Sequence, residues 1–248
     1  MIVREKFAKS VLSKSQVYDY AMNPYVGCSH SCRYCYAAFM RRFTGHGGET
    51  WGEFVDVKIN APELLAREIR KKKRGRIWVS GVCDPYQAAE KRYKLTRRCL
   101  EVLLDDQWPV TVQTKSSLVL RDIDILEKFQ DLEVGFSIAT ADEEIRKLFE
   151  PGASPIRERI AALDVLHAKG IPTFAMIAPL LPGADGLVEG LAGIVDSVLI
   201  DRLNYFYANR IYKEKGMEWA LEDAFFHGQA EQLAEGFRRK GIPVQVLF

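Results

Sequence analysis

The sequence predicts an α/β protein built on a parallel sheet, and three observations carry that prediction. Short β-branched runs alternate with amphipathic helical stretches from residue 76 onward. The chain has 248 residues, 48% hydrophobic and 27% charged, a globular composition with enough length for one large core. No repeat and no linker rich in proline, glycine and serine interrupts it, so a single domain over 1–248 is expected. About six core strands suit an open barrel or a doubly wound sheet, and periodicity does not separate the two.

Taken in order, residues 1–19 read as a polar lead-in before a strand candidate at Tyr20. A short helix is expected over Tyr36–Arg42, and the three glycines between Thr44 and Thr50 mark a loop. Asn60 is placed to cap a helix with Pro62 near its start and Glu63 three residues after the cap. Leu64, Leu65 and Ile69 give that helix an apolar stripe, and Lys71–Arg74 followed by Gly75 suit its end. Strands are then expected at Arg76–Ser80, Pro109–Thr114, Leu132–Ile138, Ile171–Ala178, Ser197–Asp201 and Val244–Phe248. Between them stand helices at Leu95–Leu104, around Ile123, Leu126 and Phe129, at Glu143–Phe149, Pro155–Lys169 and Leu187–Val195. A long helix is expected from about Met217 to Lys240. Cys99 shares a helical face with Leu95 and Val102 and is read as core.

Composition also excludes. A formal net charge of +2 is too small to imply a nucleic-acid partner by itself. Five cysteines, three of them clustered, suit a reducing compartment better than a disulfide scaffold. Residues 1–7 lack a signal-peptide apolar stretch and no apolar run reaches membrane-spanning length, so a soluble cytoplasmic protein is expected.

The chemistry is concentrated in Asn23-Pro-Tyr-Val-Gly-Cys28-Ser-His-Ser-Cys32-Arg-Tyr-Cys35-Tyr36. Three thiolates within eight residues are soft ligands for an iron–sulfur cluster, zinc or copper(I). On a four-iron cubane they leave one iron free to bind a small molecule. The competing reading is a zinc knuckle that borrows His30, His46 or Cys83 as a fourth ligand.

The C-x3-C-x2-C spacing, with aromatic Tyr34 before the last cysteine, resembles the cluster motif of the radical SAM enzymes. That resemblance implies a partial (β/α)6 barrel of the radical SAM kind, a [4Fe–4S] cluster on Cys28, Cys32 and Cys35, and S-adenosylmethionine on the open iron. The barrel core would run from about 20 to 205, with a short C-terminal extension of helix and strand over 206–248. In such barrels the reacting groups stand at the C-terminal ends of the strands.

Further motifs narrow the resemblance. Asn23-Pro-Tyr-x-Gly-Cys28, Arg42-Phe-Thr-Gly-His46, Asn60-Ala-Pro-Glu-Leu-Leu65, Asp84-Pro-Tyr-Gln87 and Leu95-Thr-Arg97 look like the spore-photoproduct-lyase-like proteins, also labelled DNA repair photolyases. The resemblance implies a radical lyase acting on a thymine photolesion in DNA, supplied with electrons by a flavodoxin- or ferredoxin-type donor. Cys83 would return a hydrogen atom to the product radical, with Tyr36, and more weakly Tyr34, as its relay. Lys115, Ser137 and Ala178 match cofactor-contacting positions by order and spacing, Asp84 matches another, and the adenine would lie against Tyr34. Arg41-Arg42, Lys71–Arg76, Arg97-Arg98 and Arg238–Lys240 read first as exposed helix faces and only second as phosphate contacts. Arg202, Asn204, Tyr205, Tyr207 and Asn209 could form a base-reading wall. The alternatives are a radical SAM enzyme acting on RNA, a peptide or a metabolite, and a metal-binding module without catalysis.

Overall fold

The computed structural model describes all 248 residues. Its strands are β1 Ile2–Lys6, β2 Leu12–Lys14, β3 Tyr20–Met22, β4 Tyr25–Val26, β5 Phe54–Lys58, β6 Ile77–Val79, β7 Val110–Thr114, β8 Leu132–Ser137, β9 Thr173–Ile177, β10 Ser197–Ile200 and β11 Val244–Val246. The helices are α1 Ala61–Ile69, α2 Ala88–Tyr93, α3 Leu95–Asp105, α4 Ile123–Leu126, α5 Glu143–Phe149, α6 Ile156–Ala168, α7 Leu187–Leu191, α8 Asn209–Glu214 and α9 Asp223–Arg239.

Eight strands form the main sheet in the order β11-β10-β9-β8-β7-β6-β3-β2. Every neighbouring pair is parallel except β2 with β3. The crossovers carry helices, as parallel strands require. Alternate residues explain the layering: Val110 and Val112, Val134 and Phe136, Ala175 and Ile177 are buried in the core. Their neighbours Trp78, Gln113, Ser137 and Met176 line a common cleft. A single sheet whose inner face closes round one cleft, with unpaired edges at β2 and β11, is an open barrel rather than a flat doubly wound sheet. No helix is long and apolar enough to cross a membrane.

Several elements depart from expectation for identifiable reasons. The polar residues 1–19 contain β1, which pairs with β5 and, through it, β4 in a second three-stranded sheet. Asn60 does not cap α1 with its side chain; it accepts from Ala8 N–H at 2.9 Å and donates to Ala8 C=O at 3.0 Å, fastening the N-terminal segment. That helix stops at Ile69, so the basic run beyond it is not helical. The long C-terminal helix begins only at Asp223, preceded by a 3-10 turn over Glu218–Leu221. Tyr36–Arg42 is also 3-10.

Candidate active site

The cysteine loop leaves β4 through Gly27, whose φ of +85° suits only glycine; a Cβ there would collide with the Phe54 carbonyl. Two turns then grip it. Gln87 accepts from Ser29 N–H at 2.9 Å and donates to Gly27 C=O at 3.0 Å. On the other side, Arg33 N–H donates to Phe149 C=O at 2.8 Å and Gly152 N–H donates to His30 C=O at 3.0 Å. The loop's conformation is therefore set by the Gln87 side-chain amide from the β6–α2 turn and by backbone bonds to the α5–α6 turn.

This places Cys28, Cys32 and Cys35 on the wall of a cleft of about 270 Å³ at the C-terminal ends of the barrel strands. Tyr34, Tyr36, Cys83, Asp84, Lys115, Ser137 and Ala178 line the same cleft, so the ten residues expected to hold the cluster, contact the cofactor or carry the hydrogen transfer converge on it. They arrive from the ends of β6 through β9 and from the cysteine loop.

Their partners differ. Cys83 lies 3.1 Å from Ser80 Oγ and 3.5 Å from the Tyr25 carbonyl. Burial pushes its thiol up to about 12, so at neutral pH it keeps its hydrogen. Tyr36 donates its hydroxyl to Gly81 C=O, and burial raises it to about 12. Its ring stacks on Tyr205 at 6.0 Å. The Tyr34 hydroxyl is committed to Glu150 in the interior. Asp84 is saturated by the protein: it accepts from Thr114 Oγ1 at 2.7 Å, Lys115 N–H at 2.7 Å and Tyr86 N–H at 2.9 Å, with His30 Nδ1 at 3.4 Å. Burial would raise its carboxyl, but His30 and these donors hold it down at about 2. Lys115 sits 5.8 Å above the Tyr34 ring and 3.9 Å from Glu150. Burial would lower its pKa; Cys32 and Glu150 outweigh that and raise it. Ser137 Oγ accepts from Gln113 Nε2 at 2.9 Å.

Sequence reasoning missed the buried Glu150–Arg159 pair, 2.6 Å apart behind Lys115. Arg159 carried a signal, a charge falling on the apolar stripe of Ile156, Leu163 and Leu166. Glu150, before Pro151-Gly152, carried none. The expected wall divides: Tyr205 and Tyr207 are exposed and stacked at 6.1 Å. Arg202, Asn204 and Tyr205 line the cluster cleft, and the Arg202 guanidinium is also paired with Asp223 and packed over Phe226 and Phe248. Asn204 donates to Asp201 at 2.9 Å, and Asn209 opens α8.

An open parallel barrel with three loop thiols at the mouth of its strands defines a cofactor-dependent α/β protein. The Radical SAM superfamily model matches residues 22–185, and the chain belongs to that superfamily. An uncharacterized protein of Methanocaldococcus jannaschii is 40% identical over 163 residues, covering 66% of this chain and 61% of that protein. A radical SAM Nalpha-GlyT isomerase of Pseudomonas phage M6 is 25% identical over 236 residues, covering 87% of this chain and 48% of the other. The chain thus spans about half to three fifths of the length of these curated relatives. Among solved structures, spore photoproduct lyase complexed with dinucleoside spore photoproduct matches with a TM-score of 0.71 at 16% identity, covering 99% of this chain and 82% of that one. That likeness shows the fold, a partial barrel.

The superfamily's cofactors are a [4Fe–4S] cluster and S-adenosylmethionine, and the site fits both. The donor set is three thiols on one wall. The Asp84 N–H points at Cys28 Sγ from 3.4 Å, and Lys115 acts electrostatically on Cys32 and Cys35. No three His, Cys, Asp or Glu side chains converge on a single-ion site. Of the histidines offered to zinc, His46 is stacked on Phe54 and bonded to Asp56 at 3.0 Å, and His30 faces Asp84. For the second cofactor, Lys115 and Ser137 present a cation and a hydroxyl, and the Trp78 indole N–H is buried at the cleft without an acceptor.

Proposed function

We propose that the chain is a radical SAM lyase of the spore-photoproduct-lyase-like kind, acting on a thymine photolesion in DNA. The observation that carries this reading is Cys83, a free cysteine just after β6 that lines the same cleft as the cluster cysteines and Tyr36. Held by Cys28, Cys32 and Cys35, the cluster would supply the one-electron chemistry that, with S-adenosylmethionine, generates a radical able to abstract hydrogen from substrate.

The chain's own residues do the rest. Lys115 pairs with the cofactor's carboxylate, Ser137 offers its hydroxyl to the amine or ribose, and Ala178 with Tyr34 walls the adenine. Asp84 ties the cysteine loop, through His30, to the end of β7 and so holds the loop against the strand ends. Cys83 gives its hydrogen atom to the product radical and becomes a thiyl. Tyr36, stacked on the exposed Tyr205, gives its phenolic hydrogen to that thiyl, and the tyrosyl radical left behind takes an electron from the donor protein and a proton from solvent. The tyrosine ledge receives the bases by stacking. A flavodoxin- or ferredoxin-type protein supplies electrons.

Anaerobic turnover of reconstituted, reduced protein with S-adenosylmethionine and lesion-containing DNA tests this. Release of 5′-deoxyadenosine with restored thymines, misdirected in Cys83→Ala, is the expected result; no cofactor cleavage by protein that holds its cluster would end the reading. The match to the phage isomerase favours a second reading, a radical reaction on another substrate. It predicts cofactor cleavage without lesion repair, and products that Cys83→Ala leaves unchanged.

A further inference from the structure

The hydrogen-bond chain behind Cys83 can be assigned proton by proton. Val82 N–H donates to Asn23 Oδ1 at 3.0 Å, and a backbone N–H can only donate, so the Asn23 atom it meets is the oxygen. Ser80 Oγ lies 2.7 Å from that same oxygen, which can only accept. The one hydrogen of the Ser80 hydroxyl is thereby committed to Asn23. At the 3.1 Å contact with Cys83, Ser80 has only a lone pair left to offer, so a hydrogen bond there has the thiol as its donor. The other acceptor within reach is the Tyr25 carbonyl, more distant at 3.5 Å. Ser80 and Asn23 are both buried, and bulk water does not compete for these bonds.

We infer that Asn23 and Ser80 are positioning residues that orient the S–H bond of Cys83 toward Ser80 Oγ. The inference deepens the proposed role of Cys83 as hydrogen donor and rests on it for its consequence, though not for its geometry. A thiol delivers its hydrogen along the S–H direction, so a fixed rotor holds the hydrogen back until a substrate radical draws it round. It also gives the Asn residue of the Asn-Pro-Tyr segment a part in the chemistry, 60 positions before the cysteine it serves.

Infrared spectroscopy of the reconstituted protein in the S–H stretching region tests the geometry. Cluster-bound thiolates carry no S–H, so Cys83 and Cys99 supply the signal, and subtraction of Cys83→Ala isolates the first. The wild-type Cys83 band is expected at the lowered frequency of a donating thiol. Ser80→Ala should move it upward and Ser80→Thr, which keeps Oγ, should restore it; a merely structural serine would not move the band in this way. A band that stays in place in Ser80→Ala assigns the hydrogen to the Tyr25 carbonyl and overturns the inference. Should Ser80→Ala fail to fold, a wild-type band at the frequency of a non-bonded thiol overturns it equally. In turnover, Ser80→Ala is expected to shift the product mixture toward that of Cys83→Ala. If the wild type cleaves cofactor and converts no lesion, the substrate reading fails on its own, and the infrared result still decides the positioning.

Discussion

A carboxylate cut off from water stays ionised only where cations stand against it. Glu150 is such a group: fully buried, it meets Arg159 at 2.6 Å, Lys115 at 3.9 Å and the Tyr34 hydroxyl. Burial would raise its pKa, but Arg159 first and Lys115 second hold it below the ordinary carboxylate value. Because the folded value is the lower one, Glu150 contributes stability that is present above the ordinary range. That contribution is lost as pH falls through the folded value. Arg159→Met leaves the carboxylate short of its main partner, and a loss of about 3–5 kcal/mol in urea denaturation at pH 7 is expected. Burial should then raise Glu150, so lowering the pH to about 4 neutralises it and recovers part of the loss relative to wild type. An equal loss at both pH values would show that packing, not charge, is responsible. The same arithmetic of partners explains what the sequence made legible. Cys28, Cys32 and Cys35 announce themselves by spacing, whereas Glu150 acquires its role only from residues that arrive from α6 and the end of β7.

At the scale of elements, several residues of the motifs that mark the resemblance are scaffold, beside Asn23, Cys28 and Asp84, which belong to the site. Gln87 grips the cysteine loop, and Glu90 accepts from the Tyr25 hydroxyl, Thr96 N–H and Arg121. Arg97 spans Asp122 and Asp124. These residues lie outside the cleft and spend their polar groups on protein partners, which is why they point to a family and not to a lesion. The parallel strands of the main sheet were legible because their apolar runs are bounded by polar turns, whereas β5 was not expected. β1 was not, since all five of its residues are exposed and only pairing with β5 makes it a strand. Lys94, at φ +50°, divides α2 from α3, a break that no proline or glycine announces. The α5–α6 turn gives the test at this scale. A Cβ at Gly152 would enter the Ser29 carbonyl, so Gly152→Val must push the cysteine loop away. Overpacking of about 1–3 kcal/mol is expected there. The variant should keep its far-ultraviolet circular dichroism yet hold less iron and labile sulfide per chain after reconstitution. Full cluster occupancy in the variant would show that the turn does not hold the loop.

For the molecule as a whole, the proposed substrate makes a demand that net charge does not meet. A charge of +2 spread over 248 residues attracts a polyanion weakly, so attraction has to be local. Beside the cluster cleft, and sharing Cys32 and Cys35 with it, lies a second groove lined by Arg33, Arg41, Arg42 and Arg210 with Phe39 and Tyr207. Arg33 and Arg42 form no salt bridge, while Arg210 is paired with Glu214. Next to it stand the stacked Tyr36, Tyr205 and Tyr207, and Phe206 is 86% exposed. Cations that neutralise phosphates confer salt dependence, whereas stacking on aromatic rings does not, so the two contributions separate experimentally. For a single-stranded thymine oligonucleotide, Tyr205→Ala is expected to cost about 1–3 kcal/mol at every salt concentration. The pair Arg33→Ala and Arg42→Ala should flatten the dependence of log affinity on log salt by about 0.7 for each phosphate contact removed. Fluorescence anisotropy across a salt series distinguishes these effects. If Tyr205→Ala changes only the slope, or the arginine pair only the intercept, the ledge and groove do not divide the work between bases and phosphates. A substrate other than nucleic acid would then have the stronger claim on the cleft.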